Sequence, residues 1–389
     1  TNLTGPGQTM VLDNVVLGAR LRGERPDRVP VAPDFSNMIP ARLTGKPFWD
    51  LYLYNDPPIW EAYIECARRF AIDALMDGYF RYRWPGDPAD PRPWERFIVY
   101  RDAGRIVTQA SYRENGRRIW QDRVDVFYIA DPPTHGVRPE RIGLPAVPER
   151  FEPVEGVQSV DHGIAGLRRV KRLLGDQGLV GVFFTSTVIV GNEEQLFHYE
   201  DHPEALEALK ERRLEEVERR FAALTAMAPE DRPDFLCVGG SGTLVLQTPG
   251  FFRAHVFPAV RRAIELASSA GIPTHVHSCG PERELVRIFA EETDLTVIDP
   301  LETPPKGDCN LADLKRRYGG RMVLKGNLHT TDVMLRGTPE DVARAARGAI
   351  ADAAAGGRFI LSTGDQCGRD TPDENLHALV AAAREFGRY

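Results

Sequence analysis

From about residue 160 to its end, the chain alternates short apolar runs with amphipathic stretches of roughly a dozen residues, and nothing else constrains the fold as strongly. The strand candidates are Leu179–Ser186, Phe235–Gly239, Thr274–Cys279, Leu295–Pro300, Met322–Gly326 and Phe359–Thr363. Helical patterns follow over Pro258–Ser269, Glu282–Glu292, Leu311–Tyr318 and Pro339–Ala354. The last opens on Thr338-Pro339-Glu340, a capping residue ahead of a proline at the first helical position. Earlier, Val29–Pro33 and Ala74–Tyr79 read as strands and Pro58–Ala71 as a helix. Two early strands and six later ones make eight, the count of a closed parallel (β/α)8 TIM barrel.

One region interrupts the alternation. Phe97–Arg101, Arg105–Tyr112 and Arg117–Val126 alternate with period two and are joined by polar turns such as Asn115-Gly116. The segment Asp131–Pro153 then carries six prolines. Residues of about 90–155 are therefore expected to form an antiparallel β insertion and a proline-rich loop after the second barrel strand. The whole chain, 1–389, is read as one barrel domain.

A net charge of −7 argues against nucleic acid or an anionic membrane as partner. No apolar run reaches the roughly 18 residues needed to span a bilayer. Thr1–Met10 is polar and lacks the pattern of a signal peptide, so a cytoplasmic enzyme is expected. Five cysteines scattered through the chain do not make a disulfide scaffold. Cys66 and Cys237 read as core thiols.

The sharpest local feature is Thr274-His275-Val276-His277-Ser278-Cys279-Gly280. Alternate residues of a strand share a face, with Cα atoms about 6–7 Å apart, so His277 and Cys279 converge on one point. Cys367, leaving the last strand, lies at the same end of the barrel, where barrel enzymes keep their chemistry. One imidazole and two thiolates suit Zn²⁺ and leave a fourth position open. His277, Cys279 and Cys367 are the candidate metal ligands, and His275 reads as packing or supporting them.

Several stretches resemble a known family. Phe359–Gly364 with Asp370–Leu376, Leu324–Leu328 with Gly337–Val342, and the opening Arg28–Pro33 with Ala41–Gly45 are similar to the uroporphyrinogen-decarboxylase-like superfamily. True decarboxylases of that family grip the porphyrinogen's carboxylates with an Arg-Gln-Ala-Gly-Arg signature. Asp34–Pro40 here contains no arginine. The His-x-Cys pair followed much later by Cys instead resembles the zinc methyltransferases that work with corrinoid proteins. That resemblance implies Zn²⁺, a corrinoid supplied by a partner protein, and a thiol, methyl ether or similar methyl donor or acceptor. The chain departs from the pattern at one place: Asp365 and Gln366 stand between the usual glycine and the cysteine.

At the same mouth, Glu302, His329 and Asp365 are candidate catalytic groups, and Asp34, Tyr79 and Asn327 are candidate substrate contacts. Gly239-Gly240-Ser241-Gly242 lacks a phosphate-loop lysine and reads as a tight turn. The alternative function is a metal-independent decarboxylase or lyase on the same scaffold. A homodimer is expected from the prevalence of two-fold assemblies among soluble enzymes.

Overall fold

The computed structural model describes residues 28–389, and the reading of Thr1–Met10 falls outside them. In chain order the strands are β1 (Ala74–Met76), β2 (Glu95–Arg101), β3 (Arg105–Glu114), β4 (Arg117–Tyr128), β5 (Thr134–Val137) and β6 (Glu152–Pro153). They continue with β7 (Gly178–Phe183), β8 (Phe235–Cys237), β9 (Thr274–His277), β10 (Val297–Asp299), β11 (Val323–His329) and β12 (Phe359–Gly364). The chain divides into two compact units, one of residues 28–35, 67–86 and 162–389, the other of 36–66 and 87–161.

The first unit is a seven-stranded parallel sheet in the order β1-β7-β8-β9-β10-β11-β12. Helices lie between successive strands, including Phe257–Ser269, Arg283–Glu292, Leu311–Tyr318 and Pro339–Ala353, close to the expected spans. The expected cap is present as a reciprocal box: Thr338 Oγ1 accepts from the Asp341 N–H, and Asp341 accepts from the Thr338 N–H. The extended segment around Val31 bonds to both edges of the sheet. Ala32 N donates to Leu361 O at 2.9 Å, and Asp73 N donates to Val31 O at 2.9 Å. Eight extended segments are thus hydrogen-bonded in turn, although Val29–Pro33 forms only one isolated bridge, Val31 with Leu361, rather than a full strand.

Inside this sheet Ala32, Leu75, Leu179, Phe235, Cys237, Val297, Val323 and Ile360 form one buried cluster. Strand periodicity makes the next inward position polar. Two residues beyond Val297 is Asp299, and two beyond Val323 is Lys325. The apolar floor therefore gives way to ionisable groups one pleat nearer the C-terminal ends of the strands.

The second unit is built on a five-stranded antiparallel sheet in the order β5-β4-β3-β2-β6. The three expected strands are β2, β3 and β4. The proline-rich stretch adds β5 and β6, both at sheet edges. Edge positions tolerate proline because one side of the strand needs no N–H donor, and Pro153 pairs with Phe97 on that basis. Leu53, Ile98, Ile106 and Phe127 form its buried core on one side, and Val107, Val124 and Val126 on the other.

Candidate metal centre

Strand β9 carries the centre. Its pairing with β10 sets His275 beside Val297 and His277 beside Asp299, and the β10–β11 register places Lys325 next to Asp299. Asp299 is almost wholly buried. Its Oδ1 lies 2.9 Å from His275 Nε2 and 3.1 Å from His277 Nδ1, while Oδ2 takes the Lys325 ammonium. Burial alone would raise the Asp299 pKa. The Lys325 charge and the two imidazoles outweigh it and hold this carboxyl well below its ordinary range. Reciprocally, Asp299 keeps the buried Lys325 charged, against the cost of desolvation.

His275 faces a carboxylate on each side, Asp299 at Nε2 and Asp77 with an oxygen 2.8 Å from Nδ1. Burial disfavours its charge, but Asp299 and Asp77 together lift its pKa to about 9. Asp77, Cys237 and His275 also place three potential ligand atoms within 4.8 Å of one another. His275 lies one pleat below His277 on the same face of β9.

His277 is arranged differently. Its Nδ1 faces Asp299, while Nε2 is shielded from solvent and makes no hydrogen bond. Nε2 lies 3.5 Å from Asp365 Oδ1, and His277, Cys279 and Asp365 bring their ligand atoms within 4.8 Å of one another. Metal bonds of about 2.0–2.3 Å in a tetrahedron put neighbouring ligand atoms roughly 3.3–3.8 Å apart. The donor chemistry and spacing fit a divalent ion with only a small contraction. A carboxylate on the far nitrogen of a ligating histidine fixes its tautomer and ring orientation, the role Asp299 is placed to fill.

Cys367, expected as the third ligand, does not share that group of three. It is fully buried, its N–H donates to Asp34 O at 2.9 Å, and its thiol faces Thr363 and Thr371. Asp365 takes the position facing His277.

The remaining candidates divide. Glu302 Oε2 accepts from Gly280 N at 2.6 Å, tying its loop to the turn that follows Cys279. Burial, then the nearby Asp365 charge, raises its pKa. His329 Nδ1 accepts from Asp332 N at 3.0 Å, so the proton of the neutral ring sits on Nε2, which is buried without a partner. β11–β12 pairing sets His329 opposite Gly364, next to Asp365. Asn327 gives its amide to Leu301 O at 2.9 Å. Asp34 packs its backbone against the closing turn, its N–H donating to Thr363 Oγ1 at 3.0 Å. Tyr79 is buried three residues beyond β1. Among the other aromatics, Trp84 meets Tyr82 and Phe184 edge-on, and Phe97, Trp120 and Phe151 form a separate cluster.

The glycine string has a definite cause. A Cβ on Gly239 would stand 2.5 Å from His277 N, and one on Gly240 would stand 2.6 Å from Ser186 Oγ. At Gly239 the β9 backbone itself makes the close approach, and at Gly240 the Ser186 side chain does.

Sequence reasoning gave no site role to Asp299, Lys325, Asp77 or Glu282. The first two had a signal: a charge ending each of two neighbouring apolar strand cores, with opposite signs. Glu282 is fully buried, accepts from Leu301 N at 2.8 Å, and leaves Oε1 unpaired. Burial pushes its pKa well above the usual range.

Comparison with known proteins agrees with this architecture. The uroporphyrinogen decarboxylase (URO-D) family matches residues 211–386. A methylated-thiol–coenzyme M methyltransferase of Methanosarcina mazei is 31% identical over 134 residues, 34% of this chain and 33% of the relative. The match thus spans about a third of the curated relative's length. A solved methyltransferase from Methanosarcina mazei shares the fold across 98% of both chains, with a TM-score of 0.57 and 17% identity. The family match covers less than half of this chain, and the solved methyltransferase is similar to it in fold. No helix among the described residues is long and apolar enough to cross a membrane.

Proposed function

We propose that this chain is a zinc-dependent methyltransferase on a (β/α)8 scaffold, moving a methyl group between a small thiol or methylated thiol and a corrinoid carried by a partner protein. The observation that carries the reading is the convergence of His277 Nε2, Cys279 Sγ and a carboxylate at the C-terminal end of the parallel sheet. The thiol as substrate class is supported by the similarity to the Methanosarcina methylated-thiol–coenzyme M methyltransferase.

His277 and Cys279 would hold the ion, with a third donor from the turn after β12. A zinc ion bound there supplies Lewis-acid chemistry, keeping a thiol as thiolate near neutral pH. The chain's own groups do the rest. Asp299 holds the His277 ring with Nε2 turned toward Cys279 and Asp365, and Lys325 balances that buried negative charge. Glu302 fixes the turn after Cys279 through the Gly280 N–H. His329 Nε2–H is the donor left to meet a substrate's polar atom, and Asp34, Tyr79 and Asn327 are the proposed substrate contacts.

Elemental analysis of protein purified without chelator tests this. About one zinc per chain, lost in a His277→Ala, Cys279→Ser double variant, together with thiol-dependent demethylation of added methylcobalamin, is the expected result. A metal-free wild-type protein would overturn the reading and favour metal-independent decarboxylase or lyase chemistry.

A further inference from the structure

We infer that the third protein ligand of this centre is the carboxylate of Asp365, and that Cys367 is a structural thiol. The inference rests on the metal-binding reading above and goes beyond it by naming the donor set: one imidazole, one thiolate and one carboxylate.

Three observations on the closing turn carry it. First, His277 Nε2 has no hydrogen bond and lies 3.5 Å from Asp365 Oδ1, within the separation two ligands of one tetrahedral ion adopt. Second, Asp365 immediately follows β12 with φ at 87°, a left-handed backbone that a side-chain-bearing residue rarely adopts. A strained residue persists where its surroundings over-determine it, and here the strain turns the carboxylate toward His277 and Cys279. Third, Cys367 is committed elsewhere. Its N–H is bonded to Asp34 O, its side chain has no exposed surface, and it lies among Thr363, Thr371 and Asp34.

The exchange keeps the charge of the site while changing its softness. A carboxylate and a thiolate both bring one negative charge, so the ion with its three protein ligands stays formally neutral. Oxygen is the harder donor, and it gives a centre less selective for soft metals than one with two thiolates.

Cobalt(II) substitution reads the donor set directly, because each thiolate ligand adds a sulfur-to-cobalt charge-transfer band. The full chain, stripped of metal and titrated with Co²⁺, is compared with Asp365→Asn, Asp365→Cys, Cys367→Ser and Cys367→Ala. The expected wild-type band has the intensity of one thiolate. It is unchanged in either Cys367 variant and about doubled in Asp365→Cys, while Asp365→Asn binds cobalt at least tenfold more weakly. Halved intensity or lost binding in both Cys367 variants, with Asp365→Asn unaffected, overturns the assignment and leaves the metal reading intact. Failure of the wild type to bind Co²⁺ or Zn²⁺ overturns the metal reading itself.

Discussion

Replacing Asp299 by asparagine tests the logic of the buried charge cluster. The substitution keeps shape and volume but removes the carboxylate charge that is in direct contact with both Lys325 and His275 inside the sheet. All three side chains are almost inaccessible, with residue exposures of 1%, 5% and 2% for Asp299, Lys325 and His275. At an effective dielectric near 20, a contact at about 3 Å is worth on the order of 5 kcal/mol. His275 escapes part of the loss by giving up its proton. Lys325 has less room to do so, because Asp34 and Asp77 also favour its charge. Removing one partner of such a buried pair costs about 3–5 kcal/mol, and that is the fall in unfolding free energy expected for Asp299→Asn in urea denaturation. The double variant Asp299→Asn, Lys325→Met should lose less than the sum of the single changes by about 1.5 kcal/mol or more, since neutralising both partners leaves no orphaned charge. Zinc affinity should fall about 10–100-fold in Asp299→Asn as the His277 ring loses its anchor. A single-variant loss below about 1 kcal/mol, or additivity within about 0.5 kcal/mol, would refute the argument that Asp299 is the keystone of the cluster.

Gly239→Ala drives a methyl group into the β9 backbone at His277. It should cost about 1–3 kcal/mol and weaken metal binding in an equilibrium titration, although residue 239 is no ligand. Thr338→Ala removes one half of the capping box and should lower stability by about 1 kcal/mol in thermal or urea unfolding, with metal content unchanged. Lys315 is pushed down to about 8 by burial and the neighbouring Arg358 charge. Its folded pKa lies below its unfolded value of 10.5, so the unfolded chain binds the extra proton between those limits and stability rises with pH through that window. Relative to Lys315→Met, the wild type should gain roughly 1–2 kcal/mol between pH 7 and pH 10.5, a figure discounted for partial exposure. An unchanged or shrinking difference across that window would count against a strained buried ammonium.

The alternation of apolar runs and amphipathic segments settled the parallel α/β architecture without any contact information, because hydrophobic period reports which face each element buries. The same rule put His277 and Cys279 side by side, since both stand on one strand and period two governs its faces. That rule ends where the strand ends. Asp365 and Cys367 lie beyond β12, in a turn where side-chain direction follows φ and ψ residue by residue, so spacing alone could not decide which of them meets His277. The Asp299–Lys325 contact also needed the tertiary structure, because it depends on the register between two separate strands. So did β5 and β6, which form because the ends of the antiparallel sheet offer edges that a proline-bearing segment can join. Composition and period determined the scaffold and half of the candidate metal centre. Inter-strand register and the closing turn's backbone decided which carboxylates surround it, because both arise from packing between segments far apart in the chain.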